Sequence, residues 1–260
     1  MDRKPMLAGN WKMHKTIEEA IDLTVRLKYA CESLDDRDAV VCPPFTALQA
    51  VTETLSDSDI EVGAQDMHYE ESGAFTGEVS PEMVTDTGSE WVILGHSERR
   101  EYFGEDAEIL RRKMKAAIDH DLKIFYCIGE DEQQRENGEV EAVIQRQLES
   151  VLADFSIDQF PELVVAYEPL WAIGSGNPAT PEQANDAHRT VRETLADLYN
   201  DSVGEQTRVV YGGSVKPHNV AEIMEQPHLD GALVGSASLS AEDFASIIKY
   251  DQEETELPSV

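Results

Sequence analysis

Cysteine is scarce in this chain: three residues, Cys31, Cys42 and Cys127, among 260. With no Cys-x-x-Cys pair and no histidine cluster at ligand spacing, they argue against both a disulfide framework and a structural zinc site. They read as reduced side chains packed in a helix face or near strand ends, as free cysteine usually is. Positive charge is scarce too, with 21 Lys and Arg against 52 Asp and Glu and a formal net charge of −31. That balance argues against nucleic acid and against an anionic membrane surface as partners. No apolar run approaches the roughly 18 residues that a membrane helix needs, and none opens the chain. The expectation is therefore a cytoplasmic protein. Repeats and low-complexity tracts are missing as well, and 260 residues suit one β/α barrel domain. The acidic excess is spread along the chain, as suits a salt-rich cytoplasm. Only residues 251–260, DQEETELPSV, form a local acidic extension beyond a barrel domain over 1–250.

What is present is an alternation. Eight short apolar runs recur: PMLAGNW (5–11), AVVCPP (39–44), IEVGAQ (60–65), WVILGH (91–96), KIFYCIGE (123–130), LVVAYEP (163–169), RVVYGGS (208–214) and GALVGS (231–236). Runs this short, apolar on both faces, predict strands of a buried parallel sheet. Between them lie segments with helical spacing and start signals. Ile17, Ala20, Ile21, Thr24, Leu27, Cys31 and Leu34 are expected on one buried face, opened by a capping box at Thr16 and Glu19. Thr180-Pro181-Glu182-Gln183 combines an N-cap, an N1 proline and an N3 glutamine, and Ser80-Pro81-Glu82 opens another helix. Eight strand and helix pairs with no linker predict an α/β fold, a single (β/α)8 barrel of eight parallel strands ringed by helices.

In such a barrel the loops after the strands build the active site. The first run ends in Asn10-Trp11-Lys12, the fourth in Gly95-His96-Ser97, the sixth in Glu168-Pro169, the seventh in Gly212-Gly213-Ser214 and the eighth in Gly235-Ser236. Taken singly, each has a plainer reading: a solvated lysine, a hydrogen-bonded histidine, a capping carboxylate, a tight glycine turn. Together they put an amine, an imidazole, a carboxylate and two small-residue loops at one mouth, where independent accidents would scatter over both rims.

The runs AGNWKMHK, GAFTGEVSP, ILGHSERR, AYEPLWAIGSG, YGGSVKP and GALVGSASL resemble the triose-phosphate isomerase family, in that order and spacing, from about Leu7 to about Ile248. The resemblance implies a TIM barrel that interconverts dihydroxyacetone phosphate and D-glyceraldehyde 3-phosphate, in glycolysis and gluconeogenesis, without cofactor or metal. That family is itself a standard instance of pKa tuning and of lid closure. It implies Glu168 as the base, His96 as the electrophile, Lys12 as fixed positive charge, and Asn10 as an amide donor to the enediolate. Glu98 matches the glutamate beside the histidine loop, where it either pairs with Lys12 or forms a plain surface salt bridge. Gly174, Ser214, Gly235 and Ser236 match the phosphate-binding positions, and residues 169–179 the lid. Residues 65–78 match a projecting loop, with Phe75 and Thr76 near its tip. In the family that loop docks into a second subunit, which implies a homodimer; on residues alone it reads equally as an Ω-loop packed on its own subunit.

Three departures stand out. Ser236 replaces a usual glycine, so a positive φ there would be strained. Asn177-Pro178 puts a fixed φ into the lid. The net charge repels a dianionic substrate at long range, leaving capture to local positive potential. Two other readings remain open: another phosphosugar-handling barrel isomerase, which would not reproduce the NWK, HSERR and AYEPLWAIG runs, and a non-catalytic phosphate-binding dimer, which would not need Lys12, His96 and Glu168 together.

Overall fold

The computed structural model describes residues 3–32, 34–173 and 179–252. Eight strands, β1 (Met6–Asn10), β2 (Asp38–Cys42), β3 (Ile60–Ala64), β4 (Trp91–Leu94), β5 (Lys123–Ile128), β6 (Leu163–Tyr167), β7 (Arg208–Tyr211) and β8 (Gly231–Val234), pair in parallel and in chain order. The ring closes through β1 and β8, with Met6 opposite Gly231. The (β/α)8 barrel expected from the alternation is the fold observed. Each expected run extends one to three residues past its strand, because the apolar pattern continues into the loops that carry the polar site.

Strand periodicity of two divides the core. Met6, Ala8, Val40, Cys42, Ile93, Cys127, Val164 and Ala166 belong to one buried cluster inside the ring, while their neighbours Leu7, Val41, Val92, Tyr126 and Val165 belong to a second, packed under the helices. Trp91 and Phe125 stack inside the ring with centroids 4.5 Å apart. The same alternation aims Asn10, two beyond Ala8, and Glu168, two beyond Ala166, at the barrel axis.

The helix starts follow the expected chemistry. Thr16 accepts from Glu19 N and Glu19 reaches back to Thr16 N at 2.8 Å, closing the capping box of the helix Ile17–Ala30. Thr180 and Gln183 do the same for Pro181–Leu198, and Ser80 caps Pro81–Asp86; such caps contribute about 1 kcal/mol each. The buried face of Ile17–Ala30 differs from expectation. It consists of Ala20, Leu23, Thr24, Leu27 and Ala30, whereas Ile17 and Ile21 are exposed. Leu23 and Ala30 extend the stripe from the side opposite the two isoleucines, so the helix is rotated relative to the face read from spacing.

All three cysteines are buried and unpaired by disulfide, as expected, and burial pushes the Cys31 thiol up to about 11. Among the described residues no helix is long and apolar enough to cross a membrane. Residues 253–260, most of the acidic extension, lie outside the described residues.

Candidate active site

A cavity of about 210 Å³ opens at the C-terminal ends of the strands, lined by residues that include Asn10, Lys12, His96, Glu168, Ser214, Gly235 and Ser236. The fold thus brings together side chains as distant in sequence as Asn10 and Ser236. A larger depression of about 670 Å³, lined by Lys4, Asp38, Glu162 and Arg208, opens at the N-terminal ends of the strands. Its charges are tied up in mutual ion pairs, with Arg208 on Asp38 and Glu162, and Lys4 on Asp38, so it offers no convergent reactive set.

Glu168 is held in place from several sides. Its Oε1 lies 3.0 Å from His96 Nε2, and its Oε2 accepts the Ser97 N–H at 2.9 Å. Glycines make room for it: a Cβ on Gly212 would meet Glu168 Cγ at 2.7 Å, and one on Gly129 would meet the Glu168 carbonyl oxygen at 1.8 Å. Burial raises the carboxyl pKa, but the charge and hydrogen bond of His96, the Ser97 N–H and Lys12 outweigh it, so the net direction is down. Glu168 is ionised in this arrangement.

His96 owes its position to a turn. Gly95 at φ +74 redirects the chain after β4, and His96 becomes the N-cap of the helix Ser97–Phe103. The segment SERREYF forms that helix. The Glu98 N–H donates to His96 Nδ1 at 3.2 Å, which assigns the proton of the neutral ring to Nε2, facing Glu168. Burial opposes a charge on the ring, yet the Glu168 carboxylate and its hydrogen bond outweigh burial, and the pKa is raised from 6.5. A helix-end dipole alone would hold the ring neutral. The carboxylate on Nε2 reverses that direction, and the effect lasts only while Glu168 stays there.

Lys12 sits at φ +52, a left-handed conformation uncommon for a side chain of this size. Two contacts hold it there. Asn10 Oδ1 accepts the Lys12 N–H at 3.0 Å, and Gln65 Nε2 donates to the Lys12 carbonyl at 2.9 Å and to that of Cys42 at 2.8 Å. The ammonium lies 2.6 Å from Glu98 Oε1, so the pair with Lys12 is the alternative observed for Glu98. Because Glu98 is 40 % exposed, the pair adds positioning rather than much stability.

Ser236 is not at positive φ. It opens the short turn Ser236–Leu239 after Gly235, so the strain that a positive φ would bring does not arise. Gly174 and Asn177-Pro178 lie outside the described residues. The start of the segment expected to form a lid has an anchor: the buried Glu130 accepts from Trp171 Nε1 at 2.8 Å and from Tyr167 OH at 2.9 Å, and Arg135 pairs with it at 3.0 Å.

The projecting loop is closed at its neck by His68 N–H donating to the Val79 carbonyl at 2.8 Å. Gly73 and Gly77 at positive φ shape its tip, where Phe75 is 42 % exposed and stacks on His68 with centroids 4.3 Å apart; Thr76 is exposed beside it. At its base the buried Asp66 pairs with Lys113 at 2.6 Å and with Arg99 at 2.8 Å. Arg99 belongs to the helix that His96 caps, so this cluster ties the loop to the histidine. Burial and nearby Glu105, against the two cations, push the Asp66 carboxyl up to about 6.

Sequence reasoning missed Gln65, the Glu130 anchor and the Ser97 N–H as parts of the site. A polar residue ending an apolar run was the available signal for the first two.

A family model described as triosephosphate isomerase matches residues 5–251. The chain is similar to the curated "Triosephosphate isomerase" of Chloroflexus aurantiacus, 50 % identical over 95 % of this chain and 99 % of that one. It is 49 % identical to that of Clostridium beijerinckii over 95 % and 100 %, and 50 % identical to that of Syntrophotalea carbinolica over 95 % and 98 %. A match at this identity, sustained from the first strand to the last helix, means that the chain belongs to the triosephosphate isomerase family.

Proposed function

We propose that this protein interconverts dihydroxyacetone phosphate and D-glyceraldehyde 3-phosphate by proton transfer through an enediolate. The observation that carries the reading is the Glu168 carboxyl group and the Nε2 of His96, 3.0 Å apart in one cavity with Lys12. A carbon next to a carbonyl gives up its proton too slowly in water, so the site must supply a base and stabilise the oxygen that becomes negative. Glu168 takes the proton from the carbon; the C–H electron pair becomes the C=C bond, and the carbonyl π pair moves onto oxygen. His96 Nε2–H donates to that oxygen and gives it the proton, and the ring then takes the proton of the neighbouring hydroxyl, whose O–H pair becomes the new carbonyl as the C=C pair takes back the Glu168 proton at the former carbonyl carbon; the Asn10 amide and the Lys12 ammonium add donors.

The observed contacts make Glu168 weakly basic before substrate enters. For the carboxylate to reach a substrate carbon, it must leave the Ser97 N–H and His96 Nε2. Those contacts are among the influences that lower its pKa, so losing them in a buried site leaves burial dominant and raises its basicity. Ser214, Gly235 and Ser236, with Gly174 from the lid, are the proposed phosphate contacts, on the loops after the last two strands where barrels commonly bind phosphate.

The homodimer belongs to the same proposal. Phe75, Met13 at 94 % exposure beside Lys12, and Tyr102 and Phe103 at the end of the helix after His96 are exposed hydrophobics carried by the segments that follow the first, third and fourth strands. A second copy covering them would bring Phe75 and Thr76 toward Lys12 and His96 of its neighbour. A Phe75→Glu substitution should shift the sedimentation coefficient to that of a monomer, and an unchanged coefficient would refute this interface. Three buried thiols suit the reducing cytoplasm proposed for the protein.

The direct test is a coupled assay with glyceraldehyde 3-phosphate in the forward direction and dihydroxyacetone phosphate in reverse. Turnover of both supports the assignment; turnover of neither, by folded protein, refutes it.

A further inference from the structure

A second lysine lines the cavity and is outside the set so far assigned. Lys216 stands on the loop after β7, two residues beyond Ser214. Its backbone is fixed by Asn219: the Lys216 N–H donates to Asn219 Oδ1 at 2.7 Å, and Asn219 Nδ2 donates to the Ser214 carbonyl at 3.1 Å. The side chain is anchored as well. Lys216 Nζ donates to Ser236 Oγ at 3.0 Å, bridging the loops after β7 and β8. That acceptor is present because serine rather than glycine follows Gly235. Among the described residues Lys216 is paired with no carboxylate, in a chain holding 52 of them, whereas the Lys12 ammonium is already committed to Glu98.

We infer that Lys216, steered by Ser236, is a further binding residue for the phosphate end of the substrate. The inference rests on the isomerase reading of the site and names a cation that reading does not require. An ammonium carries three donors. One is used on Ser236, and two remain for phosphate oxygens held by the small-residue loops. Backbone N–H groups offer hydrogen bonds without net charge; Lys216 adds a second positive charge to that of Lys12, which Glu98 partly offsets, in a protein at −31 that must hold a dianion. Its ammonium contacts Ser236 and neither Glu168 nor His96, so its attraction acts on bound substrate and transition state alike, and belongs in KM rather than kcat.

The test compares Lys216→Met, Ser236→Gly and Lys216→Arg with the parent, all as full-length chains checked for folding by circular dichroism. Two readouts are used: steady-state kinetics with glyceraldehyde 3-phosphate, and calorimetric binding of inorganic phosphate, which does not depend on turnover. Losing one partly screened charge near a dianion is expected to raise both KM and the phosphate Kd about five- to tenfold in Lys216→Met, with kcat within about twofold. Ser236→Gly should show a smaller rise in the same two quantities, and Lys216→Arg should restore most of the binding. Unphosphorylated glyceraldehyde should react equally with parent and Lys216→Met. A KM and phosphate Kd unchanged in Lys216→Met, or a fall in kcat alone, would overturn the inference. A parent that binds phosphate but turns over no triose phosphate would instead refute the isomerase reading, and the phosphate titration would still decide the role of Lys216.

Discussion

Adding one methyl group at Gly212 tests the placement of the proposed base with little other change. The backbone there is not at positive φ, so alanine is conformationally allowed. Its Cβ, however, would lie 2.7 Å from Glu168 Cγ and 3.2 Å from the Tyr167 carbonyl oxygen. Carbon atoms pack at about 3.5–4.0 Å, so relief requires the Glu168 side chain to move by roughly 1 Å. A shift of that size displaces the carboxylate from its resting place, 3.0 Å from His96 and 2.9 Å from the Ser97 N–H, and equally from the position it must take up against the substrate carbon. Misplacing a reacting group by about 1 Å costs on the order of 100-fold in rate. Gly212→Ala should therefore lose about two orders of magnitude in kcat in the coupled assay, while calorimetric phosphate binding changes far less, because the proposed phosphate contacts are Ser214, Gly235, Ser236, Gly174 and Lys216. A variant that folds and turns over within about twofold of the parent would refute the argument that this glycine positions the carboxylate.

Two further outcomes are expected. With a net charge of −31 opposing a dianionic substrate at long range, moderate salt should raise kcat/KM or leave it level, because screening acts over about 8 Å at physiological ionic strength; a steep decline, with folding and association state unchanged, would contradict this. His188 is buried edge-on to Tyr167 and its pKa is pushed from 6.5 to about 3, first by burial. A histidine held neutral in the fold contributes stability that is fully present above the unfolded value near 6.5 and is lost as pH falls toward about 3. Between pH 6.5 and 5 the loss should be about 2 kcal/mol, and urea unfolding of His188→Leu should lack that part of the pH dependence. Parallel stability profiles for the two proteins would refute it.

The barrel was legible because its rule is local: short apolar runs on a period of two, separated by capped helices, leave few other ways to bury both sheet faces. Lys12, His96 and Glu168 were legible for a related reason, since polar residues ending apolar strands share one rim. What holds them was not. The Ser97 N–H reaches Glu168 across 71 positions, and the Gln65 amide reaches the Lys12 carbonyl across 53; such contacts depend on how neighbouring loops meet in space. Ser236 shows the same limit in reverse. From sequence, strain there hinged on whether its φ is positive; the structure places Ser236 outside that region, and its hydroxyl oxygen accepts from Lys216. The Ile17 and Ile21 misreading arose because two adjacent stripes of the helix Ile17–Ala30 are apolar, and only packing against the ring selects between them.

Replacing the proposed base tests the central claim most directly. Glu168→Gln keeps the size of the side chain but removes the proton acceptor, so kcat should fall by about two to four orders of magnitude. Calorimetric binding of inorganic phosphate should remain close to that of the parent. Near-normal isomerisation by a folded Glu168→Gln protein would contradict the account.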